Sequence, residues 1–473
     1  MKLYYWTLLI VLVSISCKND NNQNDGDYAF IGGEIINANN NFVVLSKSEH
    51  IIDTVKLNGN NRFVYKIKNL EAGLYQFKHG GEFQIVLLEP NDSIMFRLNT
   101  LEFDESLVYT GEGAKKNNYL INEYLRNEAE EKTIYKYCQL NPEDFENKID
   151  SLKAKKTKKL KAFKSKYDTS DVFDKLAESN IDYSYYLNKE IYPFFHYGNK
   201  KNEILESLPE DFYNYRKNIN YSDNLLKDYH YYNSFLHSNL DNVSLSQHYK
   251  HSKNKYFKRN DVCYNLDRLA IIDSLVSDNN IKEELLYHYT IRFLYKSKHE
   301  KHNNTILKYY LSKSENTESK DMITRFTNSI NKLKTGASLP EVKLVNCKNT
   351  ELSVNTIIDS PTVICFWSQT FYKHFKESHH KINELKIKYP EVNFVIINID
   401  DYGLESSHKT LKRNRFSFND EYQFKNPKTA KEDLAIYAVT KTFIVDKKQR
   451  IVNSNANIFN MHFEKELLGL INR

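Results

Sequence analysis

A chain of 473 residues is too long for one core, and at about 100–200 residues per domain it predicts about three globular parts. Hydrophobic residues make up 40% and charged residues 27%, the balance of a soluble folded protein. A formal net charge of +6 without a compact polybasic tail is too mild to argue for a nucleic-acid partner, and that class is set aside.

The chain opens with Lys2, an apolar run from Leu3 to Ile15, and the small residues Ser14 and Ser16 beside Cys17. A bilayer span needs about 20 apolar residues, so this run predicts a signal peptide over 1–16. Ser14-Ile15-Ser16-Cys17 resembles the lipobox of bacterial lipoproteins, which implies that Cys17 becomes the lipidated first residue of the mature chain. The alternative is an ordinary cleaved signal with an incidental Cys. The polar Asn/Asp stretch that follows reads as a tether over 17–27 and favours lipidation. The resemblance implies a membrane partner through the lipid anchor, with more than one acyl chain, because one chain binds marginally. It also implies a place in the cell envelope. Lys18 points to the outer membrane, since in such sorting Asp at that place causes inner-membrane retention.

From 28 to 110 the pattern becomes short alternating runs. Phe42–Leu45, Asp53–Leu57, Phe63–Ile67, Gly73–Phe77 and Phe83–Leu88 read as strands, and Asn58-Gly59-Asn60-Asn61 supplies a hairpin turn. This predicts an N-terminal antiparallel β domain. Asp53-Thr54-Val55, Gly59 with Phe63, and Pro90-Asn91-Asp92-Ser93 resemble the β-rich domain of unassigned function that precedes a thioredoxin-like domain in bacterial lipoproteins. Nothing in it looks catalytic.

From 111 to 334 the chain reads as a central all-helical domain rich in Tyr, Phe and Lys. Phe145, Ile149, Leu152, Leu160, Phe163 and Tyr167 fall at helical spacing, with Lys153, Lys155, Lys156, Lys158, Lys159, Lys161 and Lys164 around them. Such a basic face can touch anionic headgroups or simply be solvated, and solvation is the plainer reading. The aromatic clusters Tyr183, Tyr185, Tyr186 and Tyr192, Phe194, Phe195, Tyr197 predict packing between helices rather than a ligand surface.

At Gly336-Ala337-Ser338-Leu339-Pro340 strands and helices begin to alternate, with strands at Val342–Val345, Pro361–Trp367, Val392–Ile399, Thr442–Asp446 and Arg450–Asn453. Helices are expected at Phe371–Lys388, Lys428–Tyr437 and Phe463–Ile471. The alternation favours a sheet covered by helices on both faces. The Gly-x-x-x-Pro entry, the strand ending Phe366-Trp367 and the strand Phe443-Ile444-Val445-Asp446 resemble TlpA-like and AhpC/TSA-like thioredoxin-like domains. The whole therefore reads as a multidomain α+β chain ending in a thioredoxin-like α/β domain over 335–473.

Thioredoxin-like oxidoreductases carry a low-pKa thiolate at a helix N-terminus and a resolving thiol three residues on. Aligned on Phe366-Trp367, those positions are Phe371 and His374, which can do neither. The resemblance also implies a cis-proline just before the Thr442 strand, and that place is Thr440 or a near neighbour. A residue other than proline prefers trans there by about 2.5–4 kcal/mol. The buried acid of thioredoxins falls at Cys365, a thiol inside an apolar strand and expected to be inert. A Cys347–Cys365 disulfide is conceivable but needs a Cα separation the sequence cannot supply.

The five cysteines, at 17, 138, 263, 347 and 365, show neither C-x-x-C nor a Cys/His spacing suited to zinc. His374, His379 and His380 do not share one helix face. No catalytic residue, metal or cofactor is therefore assigned. The expected function is a membrane-anchored binding or scaffolding module with a degenerate redox site. The alternative is a TlpA-like thiol-disulfide oxidoreductase of the envelope, and a weaker third reading has the helical middle bind a peptide, glycan or lipid.

Overall fold

A computed structural model of the chain describes residues 28–471 apart from 49, 199 and 253–255. Cys17 and the segments 1–16 and 17–27 lie outside the described residues. Within that range the protein is mixed α/β, with three sheets and helices between and around them. Among the described residues no helix is long and apolar enough to cross a membrane.

The N-terminal strands are β1 (Tyr28–Ile36), β2 (Phe42–Lys47), β3 (His50–Lys56), β4 (Arg62–Lys68), β5 (Gly73–His79), β6 (Glu82–Leu88), β7 (Ser93–Asn99) and β8 (Val108–Glu112). They form two four-stranded sheets, ordered β4-β1-β7-β8 and β3-β2-β5-β6. Alternation decides which side chains enter: in β4, Phe63 and Ile67 are buried while Arg62 and Lys66 are exposed. The two inner faces meet at aromatic contacts such as Phe77 on Phe96, stacked with centroids 4.3 Å apart. In the β3–β4 turn, Asn61 holds φ 56°, and the Asn58 side chain accepts from the amides of Asn60 and Arg62.

The expectation of a purely antiparallel domain needs one correction. Strands β1 and β7 run parallel, with Ile31 opposite Ile94. A short hairpin enforces antiparallel neighbours, but these two strands are joined by a long excursion through both sheets, which leaves their direction to packing.

Helices follow: α1 (Ala114–Tyr137), α2 (Pro142–Lys166), α3 (Asp171–Phe195), α4 (Lys201–Glu206), α5 (His230–Tyr249), α6 (Val262–Leu275), α7 (Asn279–Lys296), α8 (Glu300–Lys313) and α9 (Thr317–Lys332). Several starts are written locally. Asn141 caps α2 through the Asp144 amide with Pro142 in the first turn, Ser170 caps α3, and Asp261 caps α6. Tyr192, Tyr232, Tyr264, Tyr289 and Tyr310 are fully buried between helices, whereas Phe195 and Tyr197 at the end of the second aromatic cluster are exposed. The basic face of α2 is partly neutralised by its neighbours: Lys156 reaches Glu130 at 2.8 Å and Lys153 reaches Asp182 at 2.7 Å. Lys155, Lys158, Lys159 and Lys161 face solvent.

The last part contains β9 (Lys343–Asn346), β10 (Glu351–Ser353), β11 (Thr362–Trp367), α10 (Tyr372–Lys388), β12 (Asn393–Asn398), α11 (Leu404–Arg413) and β13 (Glu421–Phe424). After these come α12 (Pro427–Asp433), β14 (Thr442–Val445), β15 (Ile451–Ala456) and α13 (Phe463–Ile471). The sheet order is β10-β9-β13-β12-β11-β14-β15. Strand β11 lies parallel to β12 and antiparallel to β14. It is buried on both faces, as its unbroken apolar sequence requires. Val363, Cys365 and Trp367 pack with Phe375, Ile382 and Leu385 of α10 and with Phe463 and Leu467 of α13. Ile364 and Phe366 pack on the other face with Ala430 of α12, Leu434, and Phe326 and Ile330 of α9.

Candidate functional site

The turn between β11 and α10 holds Phe371 and His374, the two positions that the sequence reading set against the thiols of thioredoxin-like oxidoreductases. Phe371 occupies the N-cap of α10 with φ −101° and ψ 63° and makes no side-chain cap bond. His374 lies in the first helical turn, where burial lowers its imidazole pKa. The positive end of a helix stabilises a thiolate but disfavours an imidazolium, so it acts in the same direction as burial on the His374 ring.

What holds this turn in place is a carboxylate. Asp400, just past the end of β12, accepts from the Ser368 hydroxyl at 2.6 Å and from the Gln369 amide at 2.6 Å. Ser368 Oγ in turn accepts from the Thr370 amide at 3.0 Å. The Gln369 side-chain carbonyl accepts from Ser406 and Thr410 of α11 at 3.1 and 3.0 Å. These charge-assisted and neutral bonds fix the backbone of the turn without help from a disulfide.

Cys365 sits one layer below, 3% exposed. Burial pushes its thiol up to about 12, against smaller opposing effects of the Thr442 hydroxyl and the Lys386 charge. Such a thiol stays protonated and unreactive at neutral pH. Cys347 is exposed in the β9–β10 turn, and both cysteines are free, so the conceivable Cys347–Cys365 disulfide is not formed.

The side chain of Thr440 hydrogen-bonds that of Tyr295 on α7. The residue directly before β14 is Lys441, and no cis peptide bond occurs among the described residues. Lys441 is 2% exposed and donates to the carbonyls of Leu434 and Ala435 at 2.8 and 2.9 Å, at the C-terminal end of α12. Burial pushes its pKa down to about 7. Nothing in its sequence surroundings marks this lysine as buried.

A second group missed by local patterns lies behind the turn. The Trp367 indole N–H donates to Glu421 Oε2 at 3.0 Å, and His379 Nε2 lies 3.0 Å from Glu421 Oε1. All three side chains are almost fully buried. Burial raises the Glu421 carboxyl, and the His379 ring and the Trp367 N–H act in the opposite direction. The other ring nitrogen, His379 Nδ1, lies 2.7 Å from the Phe375 carbonyl, so the buried carboxylate, the imidazole and the indole N–H satisfy one another in an internal network.

The turn is also covered from outside. The β5–β6 hairpin places Gly81 at φ +95°, and a Cβ built there would stand 1.8 Å from the Thr370 carbonyl oxygen. Arg413 of α11 adds a 3.3 Å bond to the Asn39 carbonyl nearby. Ser368 is buried beneath this cover, while Phe371 remains 53% exposed at its rim. Gly81→Ala combines a forbidden backbone region with a backbone clash. It is expected to lift the hairpin, so that amides of 368–371 exchange with deuterium roughly tenfold faster. Unchanged exchange there would show that the hairpin is no cover.

No family model matches the chain, and no curated protein matches it. Among solved structures the chain is similar to a candidate thiol-disulfide oxidoreductase from Bacteroides vulgatus, at 17% identity over 29% of this chain and 98% of that one, with TM-score 0.27. It is similar to the thioredoxin domain of a thiol-disulfide oxidoreductase from Bacteroides vulgatus at 14% identity, 30% and 96% coverage and TM-score 0.24. A thiol:disulfide interchange protein from Bacteroides sp. is similar at 15% identity, 26% and 80% coverage and TM-score 0.23. These thioredoxin-like neighbours thus cover under a third of the chain.

Proposed function

We propose that residues 335–473 form a thioredoxin-like domain that has lost thiol-disulfide chemistry and serves as a protein-binding or scaffolding module. The observation that carries this reading is the β11–α10 turn, where Phe371 and His374 stand in place of thiols and Asp400 holds the backbone. Cys365, the thiol nearest in sequence, is buried and protonated. Exposed Phe371, Tyr402, Phe459 and Met461 offer apolar contacts at the carboxyl ends of the strands and beside α10, the end of such a sheet where ligands bind. With the N-terminal β domain and the helical middle, this domain makes a three-part chain carried on a lipid at Cys17. In this reading the chain belongs to the cell envelope, with Lys18 after the lipidated Cys favouring the outer membrane, and its partner is an envelope protein.

The test is disulfide reduction of insulin by the full chain beside its Cys365→Ser variant. The expected result is no turnover by either above the uncatalysed reaction with dithiothreitol. Turnover, above all turnover that survives in Cys365→Ser, would overturn the reading in favour of an active oxidoreductase. For the anchor, labelled palmitate is expected to enter the chain in cells and to be lost in Cys17→Ser. Incorporation that persists in that variant would remove Cys17 as the lipid site.

A further inference from the structure

Four side chains capable of ligating a metal meet at the junction of α5 and α6, far in sequence from the β11–α10 turn. His248 lies in the last turn of α5, and His251 follows in a turn whose amides bond back to the His248 carbonyl. Cys263 and Asp267 stand four residues apart near the start of α6, so they share one helix face. One donor atom from each of the four lies within 4.8 Å of the others. His248 Nδ1 is 3.1 Å from Asp267 Oδ2, His251 Nε2 is 3.0 Å from Asp267 Oδ1, and Cys263 Sγ is 3.7 Å from His251 Nδ1.

A tetrahedral zinc ion holds nitrogen and oxygen at about 2.0–2.2 Å and sulfur at about 2.3 Å, which sets its donors about 3.3–3.8 Å apart. The cluster is already close to that spacing. His251 has to turn its ring, because in this structure its two nitrogens face Asp267 and Cys263 separately, whereas one nitrogen would bind the ion. The donor set suits a borderline-soft dication: thiolate and imidazole select zinc over magnesium or calcium, which take oxygen. One thiolate and one carboxylate with two neutral imidazoles cancel the charge of the ion. His248 and Asp267 form the inner wall, with side chains 7% and 16% exposed, and Cys263 and His251 form the open side. A cation bound here would displace the proton of the Cys263 thiol, since the thiolate is the ligand.

We propose that His248, His251, Cys263 and Asp267 bind one zinc-type divalent cation that clips the end of α5 to the start of α6. With four protein donors the site is of the closed, structural kind. The competing reading is a metal-free cluster in which Asp267 simply accepts from both imidazoles. That reading needs no thiol, and Cys263 is the residue that separates the two.

The full chain, kept reduced, is titrated with Co2+ and followed by its visible absorption. The expected result is saturation at one ion per chain, with tetrahedral d–d bands, a thiolate-to-cobalt charge-transfer band, and displacement by Zn2+. Cys263→Ser is expected to lose the charge-transfer band, and Asp267→Asn to weaken binding at least about tenfold. Cys347→Ser, which alters the exposed cysteine of the β9–β10 turn, is expected to leave the spectrum unchanged. Absence of saturable binding, a charge-transfer band that survives in Cys263→Ser, or one lost in Cys347→Ser would each overturn the proposal. Cys263 is exposed, and an unchanged far-UV spectrum of Cys263→Ser confirms that a lost band reports a lost ligand.

Discussion

Replacing Glu190 by Ala is expected to lower the stability of the helical part by about 3–5 kcal/mol, because it removes one partner of a buried ion pair and leaves the other uncompensated. Glu190 on α3 is fully buried. Its Oε1 accepts from the Tyr215 hydroxyl at 2.7 Å, Arg216 Nε at 2.8 Å and Asn239 Nδ2 at 2.6 Å. Its Oε2 accepts from Arg216 and, at 2.8 Å, from Asn242. The guanidinium also lies 3.6 Å from the centroid of the Tyr213 ring, and Asn242 donates to the Tyr213 hydroxyl. One carboxylate therefore ties α3, the 3-10 turn Asn214–Asn218 and α5 together. Glu190→Gln keeps the shape but turns an amide toward donors, so it is expected to be destabilising as well. The check is the urea midpoint of the helical circular-dichroism signal. A loss under about 1 kcal/mol in Glu190→Ala would mean that water replaces the carboxylate, as at an exposed pair.

Lys441 is expected to make stability depend on pH in the alkaline direction. Its value falls from 10.5 in water to about 7 in the folded chain. Below about 7 the lysine is protonated in both states, and no slope arises. Between about 7 and 10.5 the unfolded chain binds the proton and the folded chain does not, so stability rises with pH through that window. From pH 7 to 9 the gain is about 2 kcal/mol. The carbonyls of Leu434 and Ala435, which accept from the amine, favour the charged form at a helix C-terminus and make this an upper figure. Lys441→Met removes the titrating group. The difference between the two chains in unfolding midpoint, measured at pH 7 and 9, cancels the titration of tyrosines common to both. A difference that does not change with pH would show that Lys441 keeps an ordinary value.

How much of this was legible in the sequence can be followed residue by residue. The run Val363–Trp367 is apolar without a break, and it forms a strand buried on both faces because only that environment accepts such a run. The helix expected from Phe371 begins at Tyr372, and the last helix spans Phe463–Ile471 as expected. Asn141-Pro142 and Ser170 announce helix starts through bonds that span three residues, which sequence patterns capture. Strand β13 lies between the expected strand Val392–Ile399 and the expected helix Lys428–Tyr437, in a stretch where the sequence pattern predicts no strand. Its four residues, Glu421-Tyr422-Gln423-Phe424, are too short and polar to signal a strand alone, and they become one by pairing with β12 and β9. Glu421 was missed for the same reason, since only that pairing carries it under Trp367.

The sequence by itself determined that the turn after Trp367 has no thiol, because the identity of Phe371 and His374 does not depend on where the chain goes next. It also determined the periodicities that separate strands from helices, since these are set by neighbours a few residues away. Only the tertiary structure decided what surrounds that turn. Gly81 reaches Thr370 across most of the chain, Asp400 grips Ser368 and Gln369, and Lys441 is closed away from water. The same holds for His248, His251, Cys263 and Asp267, whose spacing matches no zinc pattern and whose donors meet because two helices pack side by side. Packing of this kind depends on the shapes of whole surfaces and on long loop closures, and no local stretch of residues encodes either.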